Sequence, residues 1–158
     1  MPPQFGEARR TLAQQTGRVG LPLISETVIE EGQLWTLAVN QNQHLLGKSI
    51  IMLRRDCTAV VDVQDHEWAN LQDEMRRLVG AIKVLFNPDQ LNYAFLMNVD
   101  AQVHLHVIPR YAGARHWRDL VFEDVHWGSV FGQEQRILDS DALAALASEV
   151  RDQLQNVS

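Results

Sequence analysis

The stretch QVHLHVIPR, residues 102–110, carries two histidines at alternate positions. Polar and apolar residues alternate through its first seven residues, which is the pattern of a β-strand with one face in a core. Gln102, His104 and His106 therefore share one face, with side chains about 6 to 7 Å apart along the strand from the rise per residue. Pro109 cannot donate a hydrogen bond to a sheet and is predicted to end the strand. The pattern thus predicts two imidazoles aligned on a rigid element.

Length and composition indicate one ordinary soluble domain over residues 1–158, because 46% of the residues are hydrophobic and 22% are charged. The net charge of −6 argues against binding of a nucleic-acid polymer, which depends on a basic surface. Cys57 is the single cysteine, so neither an internal disulfide nor a cysteine metal site is expected. The sequence shows no signal-peptide pattern and no apolar run of 18 residues, which predicts a cytoplasmic protein without membrane association.

Periodicity predicts an α+β fold in which a five-stranded, mostly antiparallel sheet carries one long helix. Apolar residues at three- and four-residue spacings predict that helix, with Asp65 as its N-cap and Asn87-Pro88 at its end. A short turn at residues 99–101 is expected to join the last two strands. The predicted elements are an N-terminal helix over 7–15, strands over 27–29, 34–39, 49–53, 91–98 and 102–108, the long helix over 65–86, and a terminal helix over 138–154.

Paired histidines on a strand have three interpretations. As metal ligands they need at least one further ligand. The available candidates are His116, His126, Asp100 and Glu123, none of which stands at a recognisable ligand spacing. The histidines could instead be satisfied side chains on a half-exposed face, since histidine is intermediate in burial. A third role is nucleophilic catalysis, because a neutral imidazole is nucleophilic and its second nitrogen can be hydrogen-bonded to fix the tautomer.

The wider sequence resembles the histidine triad (HIT) family of nucleotide hydrolases and transferases. In that family a His-apolar-His-apolar-His motif lies on the last strand of the core sheet, and QVHLHVI is similar to it with Gln102 in the first position. Residues 35–55 look like the family's earlier strand pair, and the helix over 65–86 comes where the family has its long helix. The resemblance covers about residues 25–112 and implies a HIT-like core followed by a C-terminal segment, 113–158, of the kind that varies within the family.

The resemblance implies a role for each matching position. His104 falls on the middle histidine, which attacks the α-phosphate and becomes a covalent nucleotidyl-histidine. His106 falls on the third histidine, which contacts the phosphate oxygens together with backbone N–H groups. Asn40 falls on the ribose-binding position. Gln102 replaces the first histidine and is expected to orient the site, since it cannot carry a proton but can donate and accept hydrogen bonds.

Further positions are expected near the substrate. Lys48 stands where the family has a histidine after a glycine, and a lysine cation could reach a phosphate. Asn98 is the nearest candidate for the group that protonates the leaving group. Arg110 follows the histidine strand directly, although arginines at strand ends more often lie solvated on the surface. Trp117, His126 and Trp127 are expected to pack the C-terminal segment onto the domain.

The implied function is hydrolysis or transfer at the α-phosphorus of nucleoside phosphoramidates or (di)nucleoside polyphosphates, with a purine nucleotide as the substrate and a homodimer as the assembly. The nucleophile itself requires no metal or other cofactor, although Mg²⁺ could accompany a polyphosphate. One alternative is a weakly active or inactive nucleotide-binding regulatory protein that kept the pocket after Gln102 replaced a histidine. Another is a metal-dependent His-x-His enzyme.

Overall fold

A computed structural model describes residues 23–157, so the helix predicted over 7–15 lies outside the described residues. Two 3-10 turns, Ser25–Thr27 and Val60–Asp62, accompany the regular elements. In chain order those elements are β1 (Val28–Glu31), β2 (Trp35–Val39), β3 (Ser49–Leu53), α1 (Asp65–Phe86), β4 (Gln90–Ala94), β5 (His104–Arg110), β6 (Arg115–Trp117), β7 (Leu120–Phe122) and α2 (Ser140–Leu154).

The main sheet has the strand order β1-β2-β3-β5-β4, and every neighbouring pair is antiparallel. This arrangement confirms the predicted five-stranded antiparallel sheet and its long helix. A separate hairpin, β6–β7, lies in the segment after β5 where the sequence has no clear periodicity. Its strands are three residues long, too short to produce a readable alternation.

One face of the sheet packs on the helices. Cross-strand partners Leu37, Ile51 and Leu105 are buried on that face. Trp35 lies on the same face and donates from Nε1 to the carbonyl oxygen of Glu67 in α1, at 3.0 Å. Helix α2 contacts α1 and β1, which completes the apolar layer. Because side chains alternate along a strand, the histidines of β5 point to the opposite face.

Helix α1 begins and ends where the sequence predicts, but its cap differs. The N-cap is Gln64, whose backbone is extended, and Asp65 is the first helical residue. The side chain of Glu67 accepts a hydrogen bond from the Gln64 backbone N–H at 2.8 Å, so the acidic residue three positions on closes the first turn. At the other end Asn87 adopts a left-handed conformation (φ 46°) before Pro88.

The predicted ends of the last two strands are wrong. Strand β4 stops at Ala94, and the chain reaches β5 through nine residues, 95–103, and not through a three-residue turn. Within this connection Val103 pairs with the backbone near the end of β3, accepting from Leu53 N and donating to Cys57 O. The register between β4 and β5 begins only at the pair Ala94–His106.

Pro109 lies within β5 and does not end it, contrary to the sequence-based prediction. The register with β3 ends at the pair Ser49–Val107, whereas the register with β4 continues to Gln90–Arg110. Alternate residues of an antiparallel strand direct their N–H groups to opposite neighbours. Because Arg110 bonds toward β4 through its carbonyl, the missing N–H of Pro109 falls on the side where β3 has already ended.

The C-terminal segment packs on the domain through only part of its predicted contacts. Trp117 is buried, and its Nε1 donates to Glu149 in α2 at 2.8 Å, which agrees with the expectation. His126 and Trp127 are exposed, so the expectation is wrong for both. Helix α2 begins at Ser140 with Asp139 as its N-cap.

Over residues 23–157, no helix is both long and apolar enough to cross a membrane.

Candidate functional site

The two histidines of β5 lie between neighbours that give them different surroundings. His106 is flanked by Ile50 on β3 and by Ala94, a small residue, on β4. His104 is paired with Met52 on β3, but the register with β4 stops at His106. The early end of β4 therefore leaves one side of His104 without a cross-strand neighbour, although the residue is buried.

The hydrogen bonds of His104 define its tautomer. Its Nδ1 lies 2.7 Å from the backbone carbonyl oxygen of Gln102. A carbonyl oxygen can only accept, so Nδ1 carries the proton and the neutral ring has its lone pair on Nε2. That Nε2 lies 3.0 Å from Nε2 of His106, with the ring centroids 4.7 Å apart. His104 thus presents a nucleophilic nitrogen toward the space next to His106.

His106 is held neutral. Burial, the nearby His104 and the charge of Lys48 lower its pKa to about 4. Its Nδ1 is buried and has no hydrogen-bond partner among the described residues, as suits a nitrogen without a proton. The proton of the neutral ring then resides on Nε2, which donates to His104. When a phosphate oxygen enters the site, the same N–H is available to it.

Gln102 ties the start of β5 to the chain beyond β3. Its side-chain nitrogen donates to the carbonyl oxygens of Leu53 and Arg55, both at 2.6 Å, and its side-chain oxygen accepts from Cys57 N at 3.1 Å. The side-chain amide of Gln102 therefore bonds to backbone groups. The backbone carbonyl of Gln102 orients the His104 ring. Gln102 acts on the histidine through the main chain.

Replacing Gln102 with alanine is expected to destabilise the fold by at least about 2 kcal/mol, because buried backbone groups lose their partners. Urea unfolding measures this change directly. Gln72→Ala, at an exposed position of α1, is the matched control and should change the free energy of unfolding by less than about 0.5 kcal/mol. Equal effects of the two substitutions would contradict the anchoring role of Gln102.

The loop over residues 40–48 positions Lys48 on the histidine face. Gln43 organises this loop: its side-chain nitrogen donates to the carbonyls of Asn40 and Lys48, and its side-chain oxygen accepts from Gly47 N. Gly47 has φ 81°, and a Cβ there would lie 2.7 Å from the Phe86 ring. Lys48 lies two residues before Ile50 and so shares its face, and burial lowers the pKa of the Lys48 amine.

A pocket of about 100 Å³ lies at the end of β2. Asn40 lines it and orients its side chain by accepting from Asn42 N at 2.9 Å. Ile50 connects the pocket to the histidine face, because it is also the cross-strand partner of His106. The lining residues are Leu23, Ile24, Thr27, Val39, Asn40, Gln41 and Ile50.

Sequence reasoning found Asn40 but missed the apolar residues that line the pocket with it. Of these, Ile50 carried a usable signal, because it stands two residues after Lys48 in a strand and must share its face. His44 was also missed. It is buried near Lys48, and neither ring nitrogen has a hydrogen-bond partner in the described part of the chain. Burial, reinforced by the charge of Lys48, lowers the pKa of His44.

Two predicted substrate contacts lie apart from this group. Asn98 is exposed in the connection between β4 and β5. The Arg110 side chain is only 4% exposed and pairs with Asp124, which is 2% exposed, at 2.6 Å. Its remaining N–H groups donate to Asn92 and to the carbonyls of His126 and Ser129. Arg110 is thus a buried anchor for the segment after β7, and not a solvated strand end.

The side chains considered as additional metal ligands do not gather around the histidine pair. Within residues 23–157, no group of three or more His, Cys, Asp or Glu side chains is arranged to hold a metal ion. His126, which follows the β6–β7 hairpin in the chain, instead pairs with Glu134 on the surface.

Comparison with known proteins agrees with this geometry. The sequence profile of the HIT domain matches residues 23–113, and the chain belongs to the HIT family. No curated protein matches the sequence.

Solved histidine triad structures share the fold. A histidine triad protein from Bradyrhizobium japonicum has 24% identity and a TM-score of 0.62, with 84% of this chain and 97% of that one covered. One from Marinobacter aquaeolei has 22% identity and a TM-score of 0.61, covering 85% and 93%. One from Sinorhizobium meliloti has 19% identity and a TM-score of 0.64, covering 89% and 93%.

Proposed function

We propose that this protein is a nucleotide hydrolase or transferase that acts at the α-phosphorus through a covalent nucleotidyl-His104 intermediate. The observation that carries the proposal is the hydrogen bond from Nδ1 of His104 to the Gln102 carbonyl, which leaves the Nε2 lone pair free of a proton. Membership of the HIT family supports the general activity. The proposed substrates are nucleoside phosphoramidates and (di)nucleoside polyphosphates.

The proposed reaction has two steps. In the first, Nε2 of His104 attacks the α-phosphorus and the bond to the leaving group breaks. In the second, water attacks the phosphorus, the P–N bond breaks with its electron pair returning to Nε2, and the proton of the attacking water is released to solvent. The backbone carbonyl of Gln102 holds the Nδ1 proton throughout and stabilises the positive charge that develops on the ring. His106 binds a phosphate oxygen through its Nε2–H, and Mg²⁺ could accompany a polyphosphate.

Turnover on adenosine phosphoramidate and on diadenosine triphosphate tests this proposal. Release of AMP from either substrate, dependent on His104, would support it.

The second candidate is a nucleotide-binding regulatory protein, and the locked amide of Gln102 at the first triad position favours it. Nucleotide binding with no turnover on either substrate would establish that candidate in place of the enzyme.

The proposed site for the nucleoside is the pocket lined by Asn40 and Ile50. Its apolar residues offer a surface to a purine, and Asn40 offers a polar group to the ribose. Ile50 lines this pocket and is also the cross-strand neighbour of His106. A nucleoside bound there would therefore present its 5′-phosphate to the histidines. A purine nucleoside 5′-monophosphate is the simplest ligand that spans both parts.

Asn40→Ala is expected to weaken AMP binding by about 1 kcal/mol, roughly five- to tenfold in Kd, through loss of a ribose hydrogen bond. Isothermal titration calorimetry measures the change. Asn70→Ala, on α1, is the control and should leave Kd unchanged. If Asn40→Ala binds AMP as tightly as the wild type, the ribose does not contact this residue.

We further propose a homodimer formed through α1 and the edge strand β4. Trp68 on α1 is 38% exposed and meets Phe95 edge-on at 5.9 Å, and Tyr93 on β4 is 45% exposed. A symmetric interface would bury these aromatic groups. Light scattering at micromolar concentration should give the mass of two chains, and Tyr93→Arg should shift it toward one. A wild-type mass of one chain would contradict the dimer.

A further inference from the structure

Asn42 connects the pocket at the end of β2 to the C-terminal segment of the chain. Its backbone N–H donates to Oδ1 of Asn40 at 2.9 Å, and Asn40 lines the pocket. Because Oδ1 accepts this hydrogen bond, Nδ2 is the donor that the Asn40 side chain can offer to a ligand. No described residue accepts a hydrogen bond from that Nδ2. The position of Asn42 therefore decides where Asn40 presents its donor.

The Asn42 side chain is held by residues that lie outside the HIT domain match. Its Nδ2 donates to the carbonyl oxygen of Glu134 at 2.7 Å, and its Oδ1 accepts from the backbone N–H of Arg136 at 2.8 Å. The backbones of Asn42 and Ile137 also form an isolated antiparallel bridge. Because the domain match ends at residue 113, these contacts join the pocket loop to a part of the chain about 20 residues beyond it.

The segment that holds Asn42 is itself fixed to the core. The Arg136 guanidinium lies 4.0 Å from the ring centroid of Phe122, which is fully buried, and donates to the carbonyl oxygen of Val121. Leu138, just before α2, is buried as well. Between these anchors the Arg136 carbonyl accepts from the backbone N–H of Gln43 at 2.9 Å. A loop bonded to a fixed segment in this way is ordered before a ligand arrives.

Resting on the proposed function above, we propose that Asn42 is a positioning residue for the nucleoside. The segment over residues 134–137 holds Asn42, and Asn42 holds the Asn40 side chain so that its Nδ2 donates to a ribose hydroxyl. Asn42 does not line the pocket, so its effect on the ligand passes through Asn40. The C-terminal segment thereby belongs to the nucleotide site without touching the nucleotide.

Two ligands that differ only in the ribose hydroxyls test this role. AMP and 2′,3′-dideoxy-AMP share the base and the phosphate, but only AMP offers hydroxyls to Asn40. Asn42→Ala is expected to raise the Kd of AMP about fivefold, the worth of one hydrogen bond, and to leave that of dideoxy-AMP within about twofold. Asn70→Ala on α1 is the control and should change neither Kd. Calorimetry measures the affinities, and thermal unfolding verifies that each variant is folded.

Arg136 allows the link to be cut from the other side. Arg136→Pro and Arg136→Ala both lack the guanidinium, but only the proline also removes the backbone N–H that Asn42 accepts. The Kd of AMP should therefore be about threefold higher in Arg136→Pro than in Arg136→Ala. Both variants should bind dideoxy-AMP with the same affinity.

The outcomes separate the two proposals. Wild-type affinity for AMP in Asn42→Ala, equal losses on AMP and dideoxy-AMP, or the same AMP affinity in the two Arg136 variants would overturn the positioning role and leave the proposed function in place. Equal binding of AMP and dideoxy-AMP by the wild type would remove the ribose contact and overturn the role in the same way. Absence of AMP binding by the wild type would overturn the proposed function and the positioning role with it.

Discussion

Replacing His104 with alanine is expected to reduce turnover at least about 10³-fold while leaving nucleotide binding within about twofold. A group that forms a covalent bond to the substrate cannot be replaced without losing the two-step route, whereas groups that bind or orient are lost at smaller cost. The pocket proposed for the nucleoside does not include His104, so the affinity for AMP should persist. Steady-state kinetics and calorimetry on the same preparation measure both quantities.

His116→Ala is the matched control for that substitution, because His116 is exposed on β6 and away from the site. Its turnover should equal that of the wild type. His104→Ala should also unfold at nearly the wild-type temperature, which separates lost chemistry from lost structure. Wild-type turnover in His104→Ala would show that another group performs the attack.

Arg110→Met is expected to destabilise the protein by about 3–5 kcal/mol, the usual cost of removing one partner from a buried ion pair. The substitution would leave the carboxylate of Asp124 buried, with only the backbone N–H groups of Tyr111 and His126 as partners. Asn92 would lose its donor as well. The free energy of unfolding in urea measures the loss.

The control for the buried pair is a surface pair of the same type. Arg118 and Glu149 lie 3.7 Å apart with 54% and 40% of their side chains exposed, so Arg118→Met should cost less than about 1 kcal/mol. A loss of similar size in the two variants would show that burial of Arg110 contributes little.

The Arg110–Asp124 pair also predicts the direction of the pH dependence. Burial raises the pKa of Asp124, but the hydrogen bonds and charge of Arg110 outweigh it and hold the pKa below its usual range. A depressed carboxyl pKa stabilises the fold above the ordinary aspartate pKa, and this stability is lost as the pH falls through the lowered value. Arg110→Met should therefore lose less stability on acidification than the wild type.

The sequence predicted the shared face of the two histidines because the information for it is local. Alternation over 102–108 places His104 and His106 on one side of a strand, whatever its partners are. The extent of helix α1 was predictable to within one residue, since its apolar spacing and the Asn87-Pro88 stop lie within one segment. The resemblance to the HIT family then supplied the roles expected of these positions.

What the sequence could not show depends on residues far apart in the chain. The amide of Gln102 bonds to backbone groups at 53–57, about 45 positions earlier, and no periodic pattern records such contacts. Arg110 looked like a surface arginine because its partner Asp124 lies in a segment without regular structure. The pairing of Val103 with Leu53 and Cys57, which replaces the predicted short turn, is likewise revealed only by the folded chain.

The most direct test of the central claim, that Nε2 of His104 is the nucleophile, is mass spectrometry of the protein quenched during turnover without acid. The intact mass should increase by one nucleotidyl group, and peptide mapping should place that group on His104. The adduct should be missing from His104→Ala and present in His116→Ala. An adduct on any other residue, or turnover with no adduct at any time, would contradict the mechanism.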